Sequence, residues 1–185
     1  MSPRGPWTLI TPPSLSEAGI AVVLRLRTLG RLHLDGLISK GVYTADEVAA
    51  QVDENVECSW MGDRQRVAGP LAIVAVSGGQ VVGGVDLFQN QRDKYWFMDN
   101  LIRDPAPDYR GVGIDVVDAA KAWWNTHGSN GYQLRVHSMV REAKAVAWWT
   151  RYVGRPPDFT DAFRRVRSYD FAAVGWVIDP GWPAH

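Results

Sequence analysis

Two groups of residues in this chain have types and spacings suited to chemistry. The first is a glycine turn, Tyr109-Arg110-Gly111-Val112-Gly113-Ile114, that runs straight into an apolar helical stripe. A helix N-terminus presents about four backbone amides without intrahelical acceptors and the positive end of the helix dipole. Glycines let such a backbone approach a ligand, so the turn has the makings of an anion site. The same glycines also serve merely to close a loop, and a lone Gly-x-Gly does not choose between the two. The second group is a pair of titratable side chains inside apolar segments. Asp99 sits among Trp96, Phe97, Met98, Leu101 and Ile102, where a carboxylate is expensive unless paired, with Arg103 or Arg135 as ordinary partners. His137 is neutral over much of the physiological range and can take up a proton directly; bonded to backbone, it is an ordinary strand histidine.

The elements that must position these residues follow from periodicity. Residues from about 14 to 38 keep a helical stripe through Ile20, Val23, Leu24, Leu26 and Leu29, with Ser14 or Ser16 as N-cap and Glu17 in the first turn. Thr44-Ala45-Asp46-Glu47 is a capping box opening a second helix through Val48, Val52 and Val56 toward Trp60. The runs Leu71 to Val76 and Val81 to Leu87 flank Ser77-Gly78-Gly79-Gln80 as a hairpin does, and Tyr95 to Ile102 reads as a third strand. Asp104-Pro105-Ala106-Pro107-Asp108 is a loop, because proline fixes φ and lacks an amide donor. A helix from Gly113 to about Thr126, a strand from Tyr132 to Ser138 and a helix from Arg141 to Val153 follow, the last closed by Gly154 and Pro156-Pro157. Asp161 to Ile178 reads as one or two further strands. Asp115 and Asp118 read as a solvated helix face, with Lys121 bonded to Asp118. This order of elements implies a mixed α/β sheet in one domain.

Composition sets the outer limits. At 185 residues, 46% hydrophobic and 22% charged, the chain can build a core without staples. Its formal net charge is zero, so no global basic field draws it to nucleic acid or anionic membrane. Arg141, Lys144, Arg151, Arg155, Arg164, Arg165 and Arg167, interleaved with Trp148, Trp149, Tyr152 and Phe163, nevertheless make a basic aromatic C-terminal cluster. As a nucleic-acid surface it ranks below a solvated helix face and strand edge. The single cysteine, Cys58, excludes a disulfide framework and reads as a small core residue. Nine tryptophans, two pairs of them adjacent, point to bulky helix packing. No window approaches the ~18 apolar residues of a membrane span, and the N-terminal residues lack a signal-peptide run, so a cytoplasmic protein with no membrane partner is expected. His33, His127 and His185 show no ligand spacing with one another or with Cys58, so no catalytic metal is expected.

The segment from Leu101-Ile102-Arg103-Asp104-Pro105 through the glycine turn resembles the acyl-CoA motif of the GNAT acyltransferase family, Gln/Arg-x-x-Gly-x-Gly/Ala between the fourth strand and third helix. The likeness extends over roughly residues 70 to 178, with Tyr132 to Ser138 as the fifth strand and Ala145 to Gly154 as the fourth helix; residues 1 to 65 are an N-terminal helical part. It implies a mostly antiparallel sheet flanked by helices, with a splayed parallel pair after the turn. It implies an acetyl-CoA-dependent N-acyltransferase, with Leu101, Ile102, Arg103, Arg110, Gly111, Val112, Gly113, Ile114 and Asp115 at the cosubstrate. Direct attack of an amine then needs a base, for which Asp99 and His137 are candidates, a donor such as Ser138, and an acid such as Tyr152. Two departures stand out. The motif's last place holds Asp115, and the fourth helix has Thr150 near the family's tyrosine position, Tyr152 being the nearest tyrosine. The acceptor is a small-molecule, peptide or nucleobase amine, and a homodimer is compatible. A phage-type DNA-base-modifying acyltransferase and an inactive binding scaffold are the alternatives. A Rossmann-like nucleotide binder lacks its early strand and Gly-x-Gly-x-x-Gly.

Overall fold

The computed structural model describes residues 3–11, 20–50, 71–166 and 169–179. Seven strands, β1 (Thr8–Ile10), β2 (Leu71–Ser77), β3 (Gln80–Asn90), β4 (Tyr95–Arg103), β5 (Gln133–Met139), β6 (Phe159–Val166) and β7 (Tyr169–Ile178), form one sheet in the order β1-β2-β3-β4-β5-β7-β6. All pairings are antiparallel except β4 with β5. The β2–β3 hairpin turns on Gly78 and Gly79 at φ 55° and 77°, the left-handed pair that a two-residue turn requires. A parallel pair needs a crossover, and α3 (Val112–His127) supplies it between β4 and β5.

Helices cover both faces. On one, α1 (Ile20–Ser39) lays Leu26 and Leu29 against Ala72, Val74, Val81 and Ile102. On the other, α3 and α4 (Ala143–Val153) bury Val112, Val116, Ala120, Trp124, Trp149 and Val153 against Val85, Met98, Leu134, Val136 and Trp176. Two consecutive glycines in β3 let both helices approach. A Cβ on Gly83 would lie 2.5 Å from Val112 Cγ1, and one on Gly84 would lie 2.9 Å from Leu26 Cδ2. Alternation sends these two positions to opposite faces, so one backbone step seats both helices.

The capping box forms as its residues dictate. The Thr44 amide donates to Glu47 Oε2 (2.8 Å) and the Glu47 amide to Thr44 Oγ1 (3.2 Å), opening α2, whose helical residues are described over 45–50. The continuation toward Trp60, Cys58, and the caps Ser14 and Ser16 lie outside the described residues. The periodicity did not reveal β1, whose three residues pair with Val74 to Val76 and are too few to carry an alternation. Helix α3 begins at Val112, one residue before the expected Gly113. Gly154 closes α4 with φ 75°, as its position predicted. No described helix is long and apolar enough to cross a membrane.

Candidate active site

The parallel pairing of β4 with β5 runs from Tyr95↔Gln133 to Met98↔Val136 and stops there. Its end coincides with a bulge in β4. Against β3 the register steps from Asp86↔Asp99 to Gly84↔Ile102, one extra residue on β4, and Asn100 takes the left-handed φ of 51°. Asn100 Nδ2 donates to Oδ2 of the fully buried Asp86 at 3.2 Å, an interaction within reach of the bulge. Beyond it β5 continues along β7, with His137 opposite Gly175 and Ser138 opposite Val174, and the two parallel strands part.

Asp99, His137 and Ser138 are therefore the first residues past the fork. By alternation Asp99 and His137 share the face of Phe97, while Ser138 shares the opposite face with Val136. Asp99 is half-buried. The His137 ring lies edge-on to Phe97 (4.4 Å between centroids) and Phe159 (5.2 Å). It lies across Gly175, where a Cβ would come 2.7 Å from its Cδ2. Ser138 is 8% exposed, and its Oγ has no hydrogen-bond partner among the described residues. A buried hydroxyl without a partner costs about 1–3 kcal/mol, so a group able to bond there would be favoured.

The glycine turn stands at the β4 side of the fork. Asp104 Oδ1 accepts the Ala106 amide, a turn of 3-10 helix follows at Pro107–Tyr109, and Arg110 is exposed in extended backbone. Gly111 then adopts φ 99°, and its carbonyl accepts the amides of Ile114 (3.0 Å) and Asp115 (3.1 Å). That leaves the amides of Val112 and Gly113 without acceptors among the described residues. A Cβ on Gly113 would meet nothing nearer than Trp148 Cζ2 at 4.0 Å. Of the other residues expected here, Ile114 and Leu101 are half-buried against the α3 core. Ile102 packs toward α1, and Arg103 is exposed with its guanidinium bonded to the Asp104 carbonyl.

Helix α3 lacks the solvated acidic face expected of it. Asp115, Asp118 and Lys121 are 6%, 3% and 4% exposed. A short N-terminal segment lies against Asp115 and Asp118, and Tyr152 of α4 also reaches Asp118. Asp115 accepts the Arg4 amide (2.7 Å), Arg4 Nε (3.0 Å) and Trp7 Nε1 (2.8 Å). Asp118 accepts Arg4 Nη2 (3.4 Å) and the Tyr152 hydroxyl (2.6 Å). Lys121 Nζ makes no hydrogen bond to Asp118 or any other described residue. Burial pulls its ammonium below the usual lysine range, and the neighbouring Asp118 opposes that only in part.

The observed strand order, the single parallel pair that forks at a bulge and the glycine turn opening the crossover helix together decide the architecture. The chain has a GNAT fold. Comparison with solved structures agrees. A GCN5-related N-acetyltransferase from Rhodopseudomonas palustris superposes with a TM-score of 0.57 at 18% identity, over 96% of this chain and 99% of that one. An acyl-CoA N-acyltransferase from Pseudomonas aeruginosa superposes at 0.53 and 11% identity, over 92% and 97%. The chain spans only 61% of a streptothricin acetyltransferase from Bacillus anthracis solved with acetyl coenzyme A, covering 59% of itself at 17% identity and a TM-score of 0.46. No family model matches the sequence, and no curated protein does either.

Within the GNAT fold, Tyr152 holds a particular place. Burial, and then the hydrogen bond it donates to Asp118, raise its hydroxyl well above the usual phenol range. Its ring stacks on Trp148 at 5.3 Å. Tyr152→Phe should destabilise the protein by about 1–3 kcal/mol in urea unfolding, because Asp118 stays buried with one donor fewer. A change below a few tenths would show that the bond carries no weight.

Sequence reasoning missed Arg4, Trp7, Asp86 and Asn100. A carboxylate inside Val81-Val82-Gly83-Gly84-Val85-Asp86-Leu87 was the one available signal; Arg4 and Trp7 lie where no period exists, and Asn100 lies in a strand whose pattern does not show the bulge. In the basic cluster, Arg141 binds Glu47 and the Val42 carbonyl and covers the Tyr43 ring at 4.7 Å. Arg155 binds Asp158 and Asp179. Lys144 and Arg151 are exposed, and the side chains of 161–168 lie outside the described residues.

Proposed function

We propose that this protein is an N-acyltransferase that takes an acyl group, acetyl in the simplest case, from an acyl-CoA and passes it to a primary amine. The observation that carries the reading is the fork itself. The parallel pairing stops at Met98↔Val136; past that point β4 leads into the turn whose Val112 and Gly113 amides are unfilled, and β5 carries Ser138, whose Oγ has no partner among the described residues. The residues present fit such a cosubstrate: amides and Arg110 for its phosphates, an open approach at Gly113, and a buried hydroxyl for its polar arm or sulfur. Bound there, an acyl thioester supplies an electrophilic carbonyl and a thiolate leaving group.

The acceptor nitrogen forms the new C–N bond as the C–S bond breaks, so one proton must leave the amine and one must reach the sulfur. Asp99 and His137, on one face at the fork, are the groups assigned to take the amine proton. Ser138 is assigned to hydrogen-bond the departing thiolate, which takes up its proton from water or from the base that has accepted the amine proton. The Tyr152 proton is already committed to Asp118, which makes a supporting role the better assignment for that tyrosine than acid catalysis. Asp115 bonds Arg4 and Trp7, which supports the enzyme reading against an inactive scaffold on one of the two departures from the family motif.

The test is calorimetry with acetyl-CoA and desulfo-CoA, followed by thiol release with a panel of amines. Binding should be saturable well below millimolar ligand; none at millimolar ligand rejects the reading. Asp99→Asn or His137→Gln should then lower kcat/KM by about 10²–10⁴-fold, and the residue whose loss does so is the base.

A further inference from the structure

Asp115 is a negative charge in the first turn of the helix whose open amides face the proposed acyl-CoA phosphates. Its carboxylate is 6% exposed and sits one helical turn from Asp118, 3% exposed. Two buried carboxylates at that spacing repel each other, and both repel a pyrophosphate. The only guanidinium among the described residues that touches either one is Arg4, which bridges both: Nε lies 3.0 Å from Asp115 and Nη2 lies 3.4 Å from Asp118. The stem of the same side chain passes the turn, with Arg4 Cβ and Cδ each 3.8 Å from where a Gly111 Cβ would stand and Trp7 Cη2 at 3.9 Å. Asp118 in turn receives Tyr152 from α4. One residue outside the motif therefore ties together the first turn of α3 and, through Asp118, the helix on the far side of the fork.

We infer that Arg4 is a positioning residue of the acyl-CoA site, cancelling the charge of Asp115 so that the amides of Val112 and Gly113 can hold the cosubstrate's phosphates. This rests on the acyltransferase reading above. The N-terminal segment then supplies what a glycine or alanine at 115 would make unnecessary: a cradle free of net negative charge. Removing the guanidinium leaves a bound polyanion facing a buried carboxylate of the same first helical turn with its charge uncompensated.

The test measures affinity for CoA and for acetyl-pantetheine, which lacks the nucleotide phosphates, in wild type, Arg4→Gln, Arg4→Lys, Asp115→Asn and the Arg4→Gln/Asp115→Asn double variant. Arg4→Gln should weaken CoA about tenfold or more, and Arg4→Lys by less. Acetyl-pantetheine should be unaffected in all of them, and the loss for CoA should shrink as salt rises. In the Asp115→Asn background, Arg4→Gln should cost less than about threefold, which is the signature of a charge acting through Asp115. CoA binding unchanged in Arg4→Gln, or equal losses for CoA and acetyl-pantetheine, would overturn the inference while leaving the acyltransferase reading intact. Failure of wild type to bind CoA overturns that reading, and the inference with it. If Arg4→Gln does not fold, Asp115→Asn and Arg4→Lys decide: a tenfold loss in Asp115→Asn contradicts the inference, and its absence together with a salt-dependent loss in Arg4→Lys supports it.

Discussion

Replacing Gly113 by valine should lower CoA affinity about a hundredfold or more, or roughly 2.7 kcal/mol, while leaving stability within about 0.5 kcal/mol of wild type. The two halves of that expectation come from different observations. Gly113 is in the first turn of α3 with its amide unfilled, and a Cβ there has no protein neighbour nearer than 4.0 Å. Valine is therefore accommodated by the protein alone, and its helix propensity is no worse than that of glycine. The space it takes is the approach a phosphate would use to reach the amides of residues 112 and 113. Calorimetry with CoA alongside urea unfolding separates the two halves. Unchanged affinity would remove the glycine turn from the binding site, and a collapse of stability would show that Gly113 is packed more tightly than the structure indicates.

The second large effect is at Gly83. A valine there puts Cβ 2.5 Å from Val112 Cγ1 and 2.9 Å from the Ile102 carbonyl oxygen. The second contact is with backbone of the neighbouring strand, paired at Gly83↔Arg103 and Gly84↔Ile102, so rotamer changes cannot relieve it. We expect at least about 3 kcal/mol of destabilisation, near the top of the range for overpacking, and a melting temperature lower by roughly 6–12 °C. Gly36→Ala serves as the control. Its Cβ would meet only Lys40 Nζ at 3.8 Å within α1, and it should be neutral or raise stability by up to about 1 kcal/mol. A melting temperature for Gly83→Val within 2 °C of wild type would mean that α3 can back away from the sheet without loss.

Much of the architecture was legible because it rests on local rules. The hairpin at Gly78-Gly79, the capping box at Thr44 and the left-handed Gly154 each follow from what one or two residue types can do with their backbone; the proline loop holds over 104–106, but Pro107 opens a turn of 3-10 helix that the loop reading did not include. The parallel pairing of β4 and β5 followed from a strand, a helix and a strand in succession. The glycine turn was legible as the opening of a helix for the same local reason; its reading as an anion site, and its assignment to CoA from resemblance, belong to the proposal above. What escaped the sequence is non-local. Asp115 and Asp118 have the spacing of a solvated face, and only a segment more than a hundred residues upstream makes them buried. The bulge at Asn100 was invisible because its left-handed backbone depends on β3, where Asp86 holds the side chain. Asp99 and His137 were singled out separately; that they share a face of the fork emerged only from the register.

The contact between Arg4 and Asp115 spans 111 positions of the chain. During synthesis at about 5–20 residues per second, Arg4 and Trp7 wait roughly 6–22 s for the residue that will hold them. Through that interval the indole of Trp7, only 4% exposed in the finished fold, has neither its buried setting nor its acceptor. The β2 edge that receives β1 is complete long before Asp115 emerges, and it offers the segment a temporary dock by backbone pairing alone. A chain made only as far as β3 therefore has the β2 edge but not the acceptor of the Trp7 indole.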